Sequence, residues 1–214
     1  MRGPPRYSPS GEQCAAGQPE DASGCPALEG ERQGNEGDMR FDEHWTGEAQ
    51  QQALRDLAAI TADLPGEAIE IGTHQGLSAM PIANAIYPST LHVVDHWRGS
   101  SDMPPESKTR GNYSIFLDNM EEGTLGNFTV HFQDWREFAQ EWNKPIRFIY
   151  LDAEHTQWEV SDQISAFLPF IRSGIIAGDD YGWTGVQLAV RNYFPEGEIH
   201  TLKDKLWWVY IHDH

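Results

Sequence analysis

The sequence predicts a doubly wound α/β sheet, and three observations carry that reading. Five short apolar runs, at 67–71, 91–94, 128–132, 147–151 and 175–178, alternate with stretches of helical spacing. The first run opens into Gly72-Thr73-His74-Gln75-Gly76, a tight turn ahead of a helical pattern. Two further strands, around 197–202 and 206–212, close the chain as a hairpin.

Residues 1–38 stand apart. They hold seven glycines and five prolines and lack Ile, Val, Phe and Trp. Such a segment buries too little apolar surface to offset its ordering entropy, so a disordered tail is expected before a domain over 39–214. Met39 opens the globular stretch and is a candidate translation start. Both cysteines, Cys14 and Cys25, fall in the tail, so no disulfide framework serves the domain. At about 175 residues, the domain can bury a core without such staples. The net charge of −18, with no basic stripe, argues against nucleic acid or an anionic membrane as partner. No apolar run reaches the roughly 20 residues of a membrane span, and the N-terminus lacks an apolar signal core. A cytoplasmic location and a small-molecule partner are therefore expected.

Within the domain, Ala49, Ala53, Leu54, Leu57, Ile60 and Leu64 predict a helix over 45–64, started near Thr46 and ended by Pro65-Gly66. After the first strand and its turn, a helix is expected from 77 to about 86, with Pro81 tolerated in its first turn. The second strand ends at Asp95. Residues 97–112 are polar, contain Pro104-Pro105, and are too long for an ordinary βα connection; a lid or substrate loop is expected. A helix over 113–121 should turn Ile115, Phe116 and Met120 inward. The third strand runs into Gln133-Asp134-Trp135, where Asp134 suits the N-cap of a helix over 135–143. The fourth ends at Asp152-Ala153-Glu154-His155. A long helix follows, with Val160, Ile164, Phe167, Leu168 and Ile171 on one face. Gly174 restarts the chain into the fifth strand, which ends at Asp179-Asp180-Tyr181, and Gly185 begins the last helix. Trp207 and Trp208 read as core; the sequence leaves open whether copies of the chain associate.

Ligands of such sheets bind beyond the carboxyl ends of the strands. Glu70, Asp95, Asp152, Asp179 and Asp180 all fall on that edge. Gly72 can take a conformation closed to residues with a Cβ, and Gly76 can let a ligand approach the backbone. The helix behind offers free N–H groups, so a nucleotide-like ligand is expected. The G-x-x-x-G spacing lacks the middle glycine of the dinucleotide fingerprint. Asp95, 23 residues after Gly72, suits a pair of ribose hydroxyls. Asp152, Asp179 and Asp180 would repel one another unless a cation joined them, and hard oxygen ligands suit Mg²⁺. Glu154 and His155 stand beside them as candidate bases.

Glu70-x-Gly72-x-x-x-Gly76 resembles the first motif of class I S-adenosylmethionine-dependent methyltransferases. Leu151-Asp152-Ala153-Glu154-His155-Thr156, followed by Gly174 to Tyr181 and by Gly185-Val186-x-x-Ala189-Val190, is similar to one branch of them. That branch is the macrocin-type small-molecule O-methyltransferases, and the likeness covers about residues 67–194. The resemblance implies a Rossmann-like, seven-stranded sheet in the order 3-2-1-4-5-7-6, mostly parallel with an antiparallel C-terminal hairpin strand. It implies that Glu70, Gly72, Thr73, Gly76 and Ser78 shape the donor site and that Asp95 holds the ribose. Asp134 would meet the adenine amino group, with Trp135 as a stacking face. Asp152, Asp179 and Asp180 would hold Mg²⁺, and Glu154 or His155 would take the proton. The expected reaction is methyl transfer from S-adenosylmethionine to a hydroxyl of a sugar, a phenol or a secondary metabolite. Two other functions stay open: an NAD-dependent oxidoreductase, and a non-catalytic nucleoside-binding protein of the same fold.

Overall fold

The computed structural model describes residues 39–41, 45–100 and 111–212. The tail 1–38, with both cysteines, and most of the loop expected over 97–112 lie outside the described residues. Thirteen elements follow in order: α1 (Glu48–Ile60), β1 (Glu67–Ile71), α2 (Ala79–Ile86), β2 (Leu91–Asp95), α3 (Gly111–Gly123), β3 (Phe128–Phe132), α4 (Trp135–Glu141), β4 (Ile146–Leu151), α5 (Gln157–Phe167), β5 (Gly174–Gly178), α6 (Thr184–Tyr193), β6 (His200–Leu202) and β7 (Leu206–Ile211). The strands form one sheet in the order β3-β2-β1-β4-β5-β7-β6. The first five are mutually parallel, and β7 runs antiparallel to both β5 and β6. This is the mixed Rossmann-like sheet expected from the sequence. Among the described residues, no helix is long and apolar enough to cross a membrane.

Side chains alternate between two cores because strand residues point to opposite faces in turn. Ile69, Ile71, Ile149 and Ile176 pack with α4, α5 and α6, whereas Ala68, Phe148, Tyr150, Ile175 and Ala177 pack with α1, α2 and α3. Strand β4 is buried along its whole length, as befits a central parallel strand covered on both faces. From β1 the chain runs outward through β2 and β3, then crosses to β4 on the other side of β1. The connections at the carboxyl ends of β1 and β4 therefore turn to opposite sides, and a crevice opens there.

Several boundaries differ from the sequence reading. Helix α1 is capped by Gly47, whose carbonyl accepts from the N–H groups of Gln50 and Gln51, and Thr46 is buried instead. It stops at Ile60 because Thr61 turns back, its hydroxyl donating to the Ala58 carbonyl at 2.8 Å. Helix α5 stops at Phe167, since Pro169 tightens the next residues into a 3₁₀ turn over Leu168–Phe170. The strand expected over 197–202 shrinks to three residues because Glu196–Glu198 form another such turn. Helix α3 runs longer than 113–121; Phe116 and Met120 are fully buried, whereas Ile115 is only half-buried.

Strands β2 and β3 place two histidines together. His92 Nδ1 lies 2.9 Å from His131 Nε2, so one ring donates and the other accepts. Burial holds His92 below the usual histidine range, against the pull of Glu67, whose carboxylate is 3.6 Å away. Burial also lowers His131; His92 and Lys144 lower it further, while Glu141 opposes. The unfolded chain therefore takes up protons before the folded one does as pH falls. The pair's contribution to stability is present above the ordinary histidine pKa and is lost on acidification through it. We expect wild-type protein to lose more of its melting temperature than His131→Gln between about pH 7 and about pH 5, by a few degrees. Parallel losses in the two proteins would contradict this account of the pair.

Candidate functional site

The turn after β1 is tied down by one carboxylate. Asp95 Oδ2 accepts from the N–H groups of Thr73 and His74, each at 3.0 Å, and Oδ1 accepts from Trp97 N at 2.6 Å. Gly72 N donates to the Val94 carbonyl at 2.9 Å and Gly76 N to the Thr73 carbonyl at 2.8 Å. Gly72 and Gly76 both have positive φ, at 81° and 89°, and His74 joins them at 51°. The turn is also braced from α3. Asn119 Nδ2 donates to the Gln75 carbonyl and Gln75 Nε2 to Asn112 Oδ1, both at 2.9 Å. Trp97, fully packed against Tyr113, Phe116 and Phe132, donates its indole N–H to the His74 carbonyl at 2.8 Å.

Glu70 lies wholly inside the protein, where its Oε2 accepts from the Thr73 hydroxyl at 2.9 Å. Burial pushes its carboxyl up to about 8; hydrogen bonding from Ser78 and Thr73 opposes this and the Asp95 charge adds to it. At neutral pH it is a neutral prop under the turn.

Above the turn is a cavity of about 380 Å³, within the range of small-molecule sites. Of the residues expected to hold a donor, Gly72, Thr73, Ser78, Asp95, Asp134 and Trp135 line it. Glu70 and Gly76 do not. A Cβ on Gly76 would meet Phe116 and Met120 at 3.2 and 3.3 Å, so its openness serves the packing of α3 rather than a ligand's approach. A Cβ on Gly72 would fall 2.4 Å from the Asp152 carbonyl oxygen, so there too the close neighbour is protein backbone. Asp134 caps α4, accepting from Arg136 N at 2.9 Å, and still faces the cavity. Trp135 is buried with Arg136 4.5 Å over its ring. Its Nε1, and Gln133 Nε2 beside it, have no hydrogen-bond partner among the described residues.

The same cavity takes in Asp152, Glu154, His155, Asp179 and Asp180. Ligand atoms of Asp152, His155 and Asp180 come within 4.8 Å of one another. Asp180, at φ 55°, accepts from His155 Nε2 at 2.9 Å on one oxygen and from Lys205 Nζ at 2.8 Å on the other. Asp179 belongs to the cluster less directly. It is buried, accepts from Asp180 N at 2.7 Å, and interacts with Gln50 of α1. Burial raises the Asp152 carboxyl well above the usual range, and Asp179 and Asp180 raise it further. Burial likewise raises Asp179, with Asp180 adding to it. Burial opposes ionisation of Asp180 too, but His155 and Lys205 outweigh it and hold that carboxyl low. The imidazole of His155 also stacks on Trp183, ring centres 5.1 Å apart.

Sequence reasoning missed four participants. Lys205 comes from the β6–β7 turn and carries no local signal. Gln50 is a polar residue on the otherwise apolar face of α1 with Leu54 and Leu57, and that exception was the available clue. Trp97 and Trp45 line the cavity from loops, where composition says little.

A family model described as a methyltransferase domain matches residues 69–181. No curated protein sequence matches the chain. Among solved structures, cofactor-bound Rv0187 from MTB aligns with TM-score 0.62 and 12% identity, covering 82% of this chain and 85% of that one. The O-methyltransferase from Bacillus cereus, in complex with SAH, aligns with TM-score 0.59 and 16% identity over 77% of this chain and 81% of that one. The O-methyltransferase TomG from Streptomyces achromogenes, involved in tomaymycin synthesis and in complex with SAM, gives 0.58 and 14% over 82% and 83%. At these identities the structures speak to the fold. The family match spans more than half of the 214 residues and takes in the glycine turn, Asp95, Asp152 and the Asp179–Asp180 pair: the chain belongs to the methyltransferase-domain family.

Proposed function

We propose that the protein transfers a methyl group from S-adenosylmethionine to a hydroxyl oxygen of a small molecule, assisted by a divalent cation, Mg²⁺ in the first instance. The observation that carries the donor is the state of the turn's N–H groups. Those of Gly72, Thr73, His74 and Gly76 are already bonded inside the protein, two of them to the Asp95 carboxylate. A pyrophosphate needs such groups free and would meet carboxylates instead. That weighs against NAD and for a cationic nucleoside. The unpartnered Trp135 Nε1 and Gln133 Nε2 are donors that a bound purine would satisfy.

S-adenosylmethionine supplies a methyl group already activated on a sulfonium. The protein's part is to bind, orient and take a proton. Asp95 has three of its lone-pair positions engaged and one side open to the cavity, where a ribose hydroxyl can donate. Asp134 and Trp135 would flank the adenine. A divalent cation would be held by Asp152 and Asp180, with His155 as third donor, and would lower the pKa of an acceptor hydroxyl. The donor set fits such an ion, because the carboxylates repel one another and share one wall of the cavity. With His155 drawn into that set, we assign the acceptor's proton to Glu154. Trp45, stacked on His74, and Trp183, stacked on His155, offer apolar faces to the acceptor. The two alternatives, an NAD-dependent oxidoreductase and a non-catalytic nucleoside-binding protein, have no comparable support in these residues.

Transfer of labelled methyl from S-adenosylmethionine to a panel of sugars, phenols and hydroxylated metabolites tests the reading. Turnover should depend on Mg²⁺ and stop with EDTA; turnover indifferent to chelation would remove the metal assignment. Asp152→Asn should lower kcat by about a hundredfold while leaving the donor KM nearly unchanged. Asp95→Asn should act the other way. It replaces an acceptor with a donor against the turn's N–H groups, and should raise the donor KM about tenfold or more. An unchanged donor KM in that variant would detach Asp95 from the donor site.

A further inference from the structure

We propose that Lys205 is a tethered cation that competes with a divalent metal for Asp180, and so sets how tightly the acidic centre takes its metal. The proposal rests on the metal reading above and adds a regulator to it. Lys205 is placed by backbone, not by chance of a long side chain. The N–H of Tyr181 donates to the Lys205 carbonyl at 2.8 Å, and Gly182 N donates to the Asp204 carbonyl at 2.5 Å. Lys205 N in turn donates to the Leu202 carbonyl at 3.0 Å, closing its own turn. A Cβ on Gly182 would come within 2.9 Å of the Asp204 carbonyl oxygen, so this contact needs a glycine. The β6–β7 turn is thus fastened to the segment that carries Asp180.

From that anchor the ammonium reaches Asp180 Oδ1 at 2.8 Å, while His155 Nε2 takes Oδ2 at 2.9 Å. Both oxygens of a carboxylate proposed as a metal ligand are therefore engaged by cationic or proton-bearing groups. A divalent ion at Asp152 and Asp180 would stand close to the ammonium, and two cations sharing one carboxylate repel. One must yield. Lys205 can, because its side chain is 50% exposed and its stem is flexible, whereas its backbone bonds stay in place. Metal entry then means exchange of one cation for another, not filling of a bare acidic site. With metal absent, Lys205 holds the carboxylates together and limits their repulsion. With metal present, the ammonium swings away toward solvent, to which half of the side chain is already exposed.

Binding of Mn²⁺ to the full-length protein, followed by electron paramagnetic resonance of the free ion, tests this without reference to turnover. Lys205→Met should bind Mn²⁺ about tenfold more tightly than wild type, the size of an ordinary coupling between two ligands. Lys205→Arg, which keeps the charge, should stay near wild type. Thermal melts and S-adenosylmethionine affinity serve as controls that the fold and donor site are intact. Equal or weaker Mn²⁺ binding in Lys205→Met overturns the competition alone, since the metal site would still exist. No Mn²⁺ binding by any of the three proteins overturns both the competition and the metal reading.

Discussion

The carboxyl edge of the sheet depends on a backbone ladder that continues past the strands. Gly72 N bonds the Val94 carbonyl, Asp152 N the Ile71 carbonyl, and Asp179 N the Leu151 carbonyl, at 2.9, 2.8 and 3.0 Å. Each bond carries the chain one residue beyond its strand before it turns away. The result is that Asp152 and Asp179 leave neighbouring strands in register, and the glycine turn leaves β1 beside them. Gly72 makes the arrangement sterically possible, because the Asp152 backbone occupies the space a Cβ would need. The glycine turn and the acidic centre thus share one backbone frame, while their side chains do separate work.

Environment then gives similar carboxyl groups different work. Glu70 is wholly buried beneath the turn, and burial outweighs its hydroxyl partners Thr73 and Ser78 and pushes its carboxyl up to about 8, so it props the turn in neutral form. Asp95 is half-buried and accepts three backbone N–H bonds, which tie the turn to the end of β2. Asp180 is kept charged by His155 and Lys205, while Asp152 and Asp179 beside it are driven the other way by burial and by each other. A fixed field of this kind suits a cationic donor and penalises an anionic one, in keeping with the chain's net charge of −18.

Much of this was legible in the sequence, for a physical reason. Strand–turn–helix units write themselves locally, through apolar runs, glycines and the acids that end strands. The positions of Asp95, Asp152, Asp179 and Asp180 at one edge follow from those signals, whereas the sheet order came from the family resemblance. Boundaries were less legible where a single residue decides them, as Pro169 does for α5 and Gly47 for α1. Least legible were contacts made across the chain. Lys205 meets Asp180, Gln50 meets Asp179, and Phe116 fills the space left by Gly76, and none of these pairs shares a local pattern. The ranking among the acids was hidden for the same reason, since it depends on burial and on neighbours from distant segments.

The central claim is that this cavity takes a cationic nucleoside donor. Calorimetric titration of S-adenosylmethionine into the full-length protein, with NADH titrated in parallel, tests it most directly. The account requires S-adenosylmethionine to bind at micromolar concentrations, with or without EDTA, and NADH not to bind. Binding of NADH with no response to S-adenosylmethionine would contradict it.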